Sequence, residues 1–375
     1  MRNCIISTII LFELIQVRVT AQTVDTLINI NEGLKMHFTI IKGKGVPILF
    51  ESGSGDDGSI WESITQQIAD VTGAAIITYD RIGFGKNSQS SPIGFGNEIK
   101  ALEMGLQKLG FANRNIMLVS HSIGGMYNSY FASRHPNEVK AVVLIDAANA
   151  CAWTSIFKNQ ENLERFAKEG NDLKDLTNIL DTVLKNPMPL HIPIVDIVAE
   201  NQLSDDNRDS SSYKTWFSCH HNFVSQSPYR KSLLAYGVGH AVFIENKPLV
   251  INVIATQYAN YMAPEQKTVI LEKGYALALK MVNESHKNEL KCGRSENDLN
   301  EWGYALIGKN EMQKAIEIFK LNITLYPNSW NAYDSLGEAY QKAGHKNLAI
   351  KNYKKSLELN PENDNAVKML KQILK

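Results

Sequence analysis

The chain has no excess of charge: 39 Lys and Arg balance 39 Asp and Glu over 375 residues. Without a field of one sign, nothing in the composition would draw in nucleic acid or an acidic membrane surface. Long apolar runs are lacking too, and no stretch beyond the first residues reaches the ~20 apolar positions that a membrane span needs. Cysteine is scarce, at four residues, and no C-x-x-C pair occurs, so neither a disulfide framework nor a zinc site is indicated. What remains is ordinary globular composition, 44% hydrophobic and 21% charged, in a chain long enough for two domains.

The first residues read differently from the rest. Met1-Arg2-Asn3 is a short basic start, Cys4 to Ile15 is mostly apolar with Glu13 inside it, and Val19-Thr20-Ala21 ends on a small residue. This layout predicts a signal peptide over residues 1–21, cleavage after Ala21 and export to a periplasm or the medium. Cys4 would leave with it. Cys151, Cys219 and Cys292 then remain, an odd number that allows at most one bridge, and they are read as three unpaired structural thiols.

From about residue 35 to 262, short β-branched runs alternate with helical stretches. Val46–Glu51, Ala74–Tyr79, Asn115–Ser120, Ala141–Ile145 and Ile192–Val198 are apolar on successive positions and bounded by Gly, Asp or Asn. Such runs fit strands buried on both faces. With the helical stretches Glu98–Leu109 and Gly125–Arg134 between them, they predict a doubly wound, mostly parallel α/β sheet in a domain spanning 22–262. Trp153–Lys185 reads as a helical cap insertion, placed at about 150–190, and Asn201–Pro228 as an irregular surface stretch. His220-His221 lies in that stretch; consecutive histidines diverge and no carboxylate stands at helical ligand spacing, so it is read as loop and not as a metal site.

The last eighty residues repeat. Gly303 and Gly337, Ala315 and Ala349, Phe319 and Tyr353, and Pro327 and Pro361 are each 34 apart. In period and in the small residues at helix crossings the segment resembles the tetratricopeptide repeat. That resemblance implies an all-α domain of two repeats at 296–375, able to recruit a protein or peptide partner. Residues 263–295, helical in pattern over Glu265–Leu290, are read as a bridging helix.

The sharpest chemical signal is Ser120-His121-Ser122-Ile123-Gly124-Gly125, after a buried strand and at the start of a helix. A nucleophile on so tight a turn needs small residues two positions either side, and Ser120 and Gly124 supply them. Here the chain resembles the α/β-hydrolase superfamily, with Ser120 in place of the more usual glycine. Epoxide hydrolases and haloalkane dehalogenases on that fold use an aspartate at this position, so Ser122 implies acyl chemistry. A serine needs a base, and of nine histidines His240 fits: Gly239-His240 follows the apolar Leu233–Val238 and precedes Pro248 and an apolar helix. His121 is expected to turn away from the nucleophile. The acid is either Asp146, at the end of the preceding strand, or one of Asp205, Asp206 and Asp209; Asp146 is favoured.

Glu51-Ser-Gly-Ser-Gly55 stands where the superfamily carries His-Gly, with Ser52 for the histidine, and no Lys-Ser/Thr follows to make it a phosphate loop. By position the backbone N–H groups of Ser54 and Ile123 are the oxyanion donors. Asp80-Arg81-Ile-Gly-Phe-Gly85 completes the resemblance as a structural turn without a catalytic role. The reading is a serine hydrolase for a small-molecule ester, lactone or amide, requiring no cofactor or metal. An aminopeptidase resembling the proline iminopeptidases is a second reading, with Glu161, Glu164, Glu169 and Asp172 as amine-binding candidates. A non-catalytic interaction protein that recruits partners through its repeats is the third.

Overall fold

The computed structural model describes residues 22–31, 33–87, 91–156, 175–201, 211–235, 237–287, 296–308, 310–326 and 328–374. Eight strands form one sheet: β1 (Thr23–Asn31), β2 (Leu34–Ile41), β3 (Ile48–Glu51), β4 (Ile76–Tyr79), β5 (Ile116–His121), β6 (Val139–Ile145), β7 (Ile194–Ala199) and β8 (Arg230–Ala235). Their order is β1-β2-β4-β3-β5-β6-β7-β8. β1 and β2 join antiparallel, and β3 through β8 are mutually parallel. The chain moves outward one way from β3 to β4 and the other way from β5 onward. The carboxyl ends of β3 and β5 therefore flank the switch point where such sheets leave a crevice.

Period-2 side chains divide the sheet between two cores. On one face Leu118, Val142 and Leu144 pack with α2 (Phe95–Lys108), α3 (Gly124–Arg134), α4 (Ala150–Ile156), α5 (Leu176–Lys185) and α6 (Ser211–Ser225). On the other, Met117, Val119, Val143 and Ile145 pack with α1 (Glu62–Thr72), α7 (Lys247–Ala259) and α8 (Pro264–Lys287). Burial of each such Val, Ile or Leu is worth about 1.5–3 kcal/mol, which is why these strands read as unbroken apolar runs. Helix α7 starts as the sequence suggests, with the Asn246 side chain accepting from Leu249 N–H at 3.3 Å and a proline in the first turn.

Two expectations are corrected here. Asn201–Pro228 is not all irregular: Ser211–Ser225 is a 15-residue helix, because Trp216, Cys219, His220 and Phe223 recur at helical spacing and face inward. And the thiols are not all unpaired: Cys151 on α4 and Cys219 on α6 form a disulfide. Nothing in their 68-residue separation reveals that two helices over the sheet's end bring them together. Cys292 lies outside the described residues, as do the 1–21 segment and Glu161, Glu164, Glu169 and Asp172 of the cap.

Five helices follow: α9 (Glu296–Gly308), α10 (Met312–Leu325), α11 (Trp330–Lys342), α12 (Lys346–Leu359) and α13 (Asp364–Ile373). Among the described residues, the buried side chains of their core run from Leu299 to Ile373. Two of the 34-residue pairs, the glycines and the aromatics, are one contact made twice. A Cβ on Gly303 would stand 2.4 Å from the Phe319 ring, and one on Gly337 would stand 2.9 Å from the Tyr353 ring. Glycine at these crossings lets each helix pair close over an aromatic side chain. Among the described residues no helix is long and apolar enough to cross a membrane.

Candidate active site

Ser122 sits between β5 and α3 with φ +53°, a left-handed conformation that costs an ordinary L-residue of the order of 1–2 kcal/mol. Packing enforces it. A Cβ on Gly124 would stand 2.8 Å from the carbonyl oxygens of Glu51 and Ser52, so the helix starts hard against the loop that follows β3. The Ser122 carbonyl accepts from Gly125 N–H at 3.0 Å and from Ala148 N–H at 2.7 Å, which ties the turn to the segment after β6. The side chain of Ser122 is half-buried.

Asp146 ends β6, fully buried, and it too has positive φ, at +43°. Its Oδ1 accepts from Ala199 N–H at 3.0 Å, and its backbone N–H donates to the Ile197 carbonyl at 2.6 Å. Its Oδ2 lies 2.6 Å from Nδ1 of His240, whose side chain is 41% exposed. Buried carboxylate and solvent-facing imidazole thus meet at the carboxyl edge of the sheet. The His240 carbonyl is 3.0 Å from Nε2 of His121, the residue before Ser122, and the two imidazole rings lie 4.4 Å apart. Asp146 and His240 therefore meet, and the His240 ring lies against the residue that precedes Ser122. Asp205, Asp206 and Asp209, the other acids considered, lie outside the described residues.

The His121 ring is buried against His240 and the loop after β3, 2.9 Å from where a Cβ on Gly53 would stand. Burial, and then the nearby His240, lower its pKa to about 3, so His121 is a neutral wall of the site.

The chain matches the family described as alpha/beta hydrolase fold over residues 46–178, and the tetratricopeptide repeat over 330–363. Over residues 46–178 the chain is thus similar to the α/β-hydrolase fold family. The chain is 34% identical over 119 residues to YqjL of Bacillus subtilis (strain 168), covering 31% of this chain and 46% of that protein. It is 25% identical over 173 residues to Lipase 1 of Psychrobacter immobilis, covering 44% and 52%. The chain spans about half the length of the curated relatives it matches. Among solved structures, a probable hydrolytic enzyme from Pseudomonas aeruginosa PAO1 superposes with TM-score 0.47 at 16% identity, over 63% of this chain and 94% of that one.

The loop after β3 carries Ser54, with Gly53 pressed on the Ser122 turn: a Cβ there would stand 3.3 Å from Ser122 Cβ. Ile123 precedes the first turn of α3, where backbone N–H groups lack intrahelical partners and favour negative charge. Behind this loop the sequence reading missed a buried ion pair. Arg81 Nη1 lies 2.5 Å from Glu51 Oε1 and donates to the Ser52 carbonyl at 2.8 Å, and Nη2 donates to the Gly53 carbonyl. No local pattern links the two: Glu51 closes β3 and Arg81 stands in the turn after β4, 30 residues on.

A second buried pair was missed as well. His220, read as loop, is on α6 with Nδ1 2.6 Å from Asp196 Oδ2 on β7, both buried. Burial works against the charged imidazole, but the Asp196 carboxylate outweighs it and raises its pKa. Among the described residues no group of three His, Cys, Asp or Glu side chains could hold a metal ion.

Proposed function

We propose that this protein is a serine hydrolase that cleaves a small-molecule ester, lactone or amide through an acyl-enzyme. The observation that carries the reading is the 2.6 Å contact from Asp146 to His240 Nδ1, beside a serine held at φ +53° on a strand-to-helix turn. A carboxylate on Nδ1 fixes the tautomer that leaves Nε2 a lone pair, the requirement for taking a serine proton. In this reading Ser122 Oγ attacks the carbonyl carbon as His240 Nε2 takes its proton, and the oxyanion is met by the N–H groups of Ser54 and Ile123. Collapse expels an alcohol or amine that carries the proton from His240. A water then attacks the acyl-enzyme with His240 again as base, and the released acid restores Ser122.

A relative named a lipase supports acyl chemistry. The reading divides the chain into a signal peptide at 1–21, the hydrolase at 22–262 with its cap, a bridging helix at 263–295 and the repeats at 296–375, a surface for a protein or peptide partner. We read the protein as exported, and the Cys151–Cys219 disulfide supports an oxidising compartment. The test is direct: Ser122→Ala should abolish hydrolysis of p-nitrophenyl esters and labelling by a fluorophosphonate, with the fold intact by circular dichroism. Near wild-type turnover in that variant would end the serine-hydrolase reading.

A further inference from the structure

A planar trans peptide sets the N–H of one residue opposite the C=O of the residue before it. Where a carbonyl is held, the next amide is aimed. In the loop after β3 two consecutive carbonyls are held by one side chain: Arg81 Nη1 donates to Ser52 O at 2.8 Å and Nη2 to Gly53 O. The N–H groups of Gly53 and Ser54 must then face away from the guanidinium. Ser122 lies against this loop, its Cβ 3.3 Å from where a Cβ on Gly53 would stand.

The guanidinium is itself fixed. Arg81 is 2% exposed, its Nη1 lies 2.5 Å from Glu51 Oε1, and the other oxygen of Glu51 accepts from the Tyr79 hydroxyl. The ring of Tyr127 on α3 lies 4.9 Å from the guanidinium carbon. Glu51 also touches the second donor's helix, since its Cγ is 2.8 Å from where a Cβ on Gly124 would stand. One buried ion pair thus contacts both structures that carry the candidate oxyanion donors. Buried pairs add little net stability compared with an apolar pair of the same shape. What this one supplies is orientation.

We propose that Arg81, anchored by Glu51, is a positioning residue for acyl transfer: it clamps the Ser52 and Gly53 carbonyls and so aims the Ser54 N–H at the developing oxyanion. The inference rests on the serine-hydrolase reading and adds a residue that touches neither substrate nor the reacting atoms. Lysine keeps the charge but gathers its donors on one nitrogen, so it does not reproduce the planar fork in which Nη1 meets Glu51 and the Ser52 carbonyl while Nη2 meets the Gly53 carbonyl. Arg81→Lys should therefore lower kcat on p-nitrophenyl esters by about 10²-fold, the usual effect of losing one oxyanion donor, with KM within about threefold. A trifluoromethyl ketone, whose adduct carries the oxyanion, should lose affinity in step with kcat/KM. The pH profile of kcat/KM should not move, since His240 and Asp146 are untouched. Should Arg81→Lys not fold, the neutral double variant Glu51→Gln/Arg81→Gln should show the same loss. A kcat within threefold of wild type, a loss carried by KM, a shifted pH profile, or failure of both variants to fold would overturn the proposal. Ser122→Ala separates the two levels. If it is inactive while Arg81→Lys is fully active, positioning alone is wrong; if it turns over normally, the hydrolase reading fails first.

Discussion

Asp146→Asn is the sharpest probe of the site, because the partners of the buried carboxylate include two that an amide cannot satisfy together. Oδ1 accepts from Ala199 N–H at 3.0 Å and Oδ2 meets His240 Nδ1 at 2.6 Å. An asparagine has one acceptor. With its oxygen toward Ala199, its NH2 faces His240 and forces Nδ1 to accept, which moves the ring proton to Nε2, where the serine proton must go. Flipping the amide restores the tautomer but sets two buried donors head to head, at about 1–3 kcal/mol, or roughly 10–100-fold in population. Losing the charge opposite the imidazolium adds on the order of two further powers of ten. The expected fall in kcat is therefore ~10⁴-fold, about 5.4 kcal/mol in the barrier, with KM nearly unchanged. Steady-state hydrolysis of p-nitrophenyl acetate, corrected by active-site titration, reads it. A variant within tenfold of wild type would refute the reasoning and move the acid to Asp205, Asp206 or Asp209.

Other consequences are separable by assay. Burial pushes the Glu98 carboxyl up to about 7, against the smaller pull of the Ile82 N–H and Arg81. The folded state then binds more protons than the unfolded one between about 4.5 and 7, so Glu98's contribution is full below 4.5 and lost as pH rises through 7. Glu98→Gln should match wild type in chemical denaturation at pH 4.5 and exceed it by up to about 3 kcal/mol at pH 8; an equal difference at both pH values would count against it. Reduction of Cys151–Cys219, which closes a 68-residue separation, should remove roughly 4 kcal/mol and on the order of 10 °C of Tm. Calorimetry with and without dithiothreitol tests this, and an unchanged Tm contradicts it. Gly303→Ala puts a methyl 2.4 Å from the Phe319 ring and should destabilise the repeats by about 1–3 kcal/mol, more than Gly337→Ala, where the gap to Tyr353 is 2.9 Å. Melting of the two variants in parallel gives the ranking.

Much of this architecture is legible because burial writes itself into the chain. The parallel strands announce themselves as apolar runs; Val46–Glu51 and Ile192–Val198 overlap the observed Ile48–Glu51 and Ile194–Ala199 to within two residues. β1 and β2 escape that signal. They are an antiparallel edge pair, and β1 alternates exposed and half-buried positions over Thr23–Asn31, so no apolar run marks it. Helix α6 hides for a different reason. Ser and His make up six of its 15 residues, and they break up the apolar positions that carry the helical period. The turn around Ser122 is readable because its small neighbours are a steric demand. The Glu51–Arg81 pair is not, since a charge pair 30 residues apart has no local pattern.

The segment after the hydrolase sheet leads to the last prediction. Residues 263–295 read as a bridge, but α8 packs into the hydrolase's own core: Ile270 is buried there, and Leu271, Leu277 and Met281 pack against it. At Gly274 a Cβ would stand 3.4 Å from Ala255 on α7 and 3.6 Å from Val71 on α1, so three helices meet at one crossing. The repeat core, from Leu299 to Ile373, contains none of these residues. Two truncations should therefore behave differently. A chain ending at Met262 loses α8 and uncovers Val71, Ile251 and Ala255. With two buried side chains, Ile270 and Ala278, and three partly buried ones gone, the larger of them worth about 1–3 kcal/mol each less the entropy of ordering the helix, it should lose several kcal/mol. A chain ending at Lys287 keeps that layer and should hydrolyse p-nitrophenyl esters at close to the full-length rate, with a Tm within a few degrees. Differential scanning calorimetry of the two chains beside the full-length protein decides it. Equal melting temperatures for the two truncations would make α8 a tether rather than a core helix, and inactivity of the longer one alone would tie the repeats to the site.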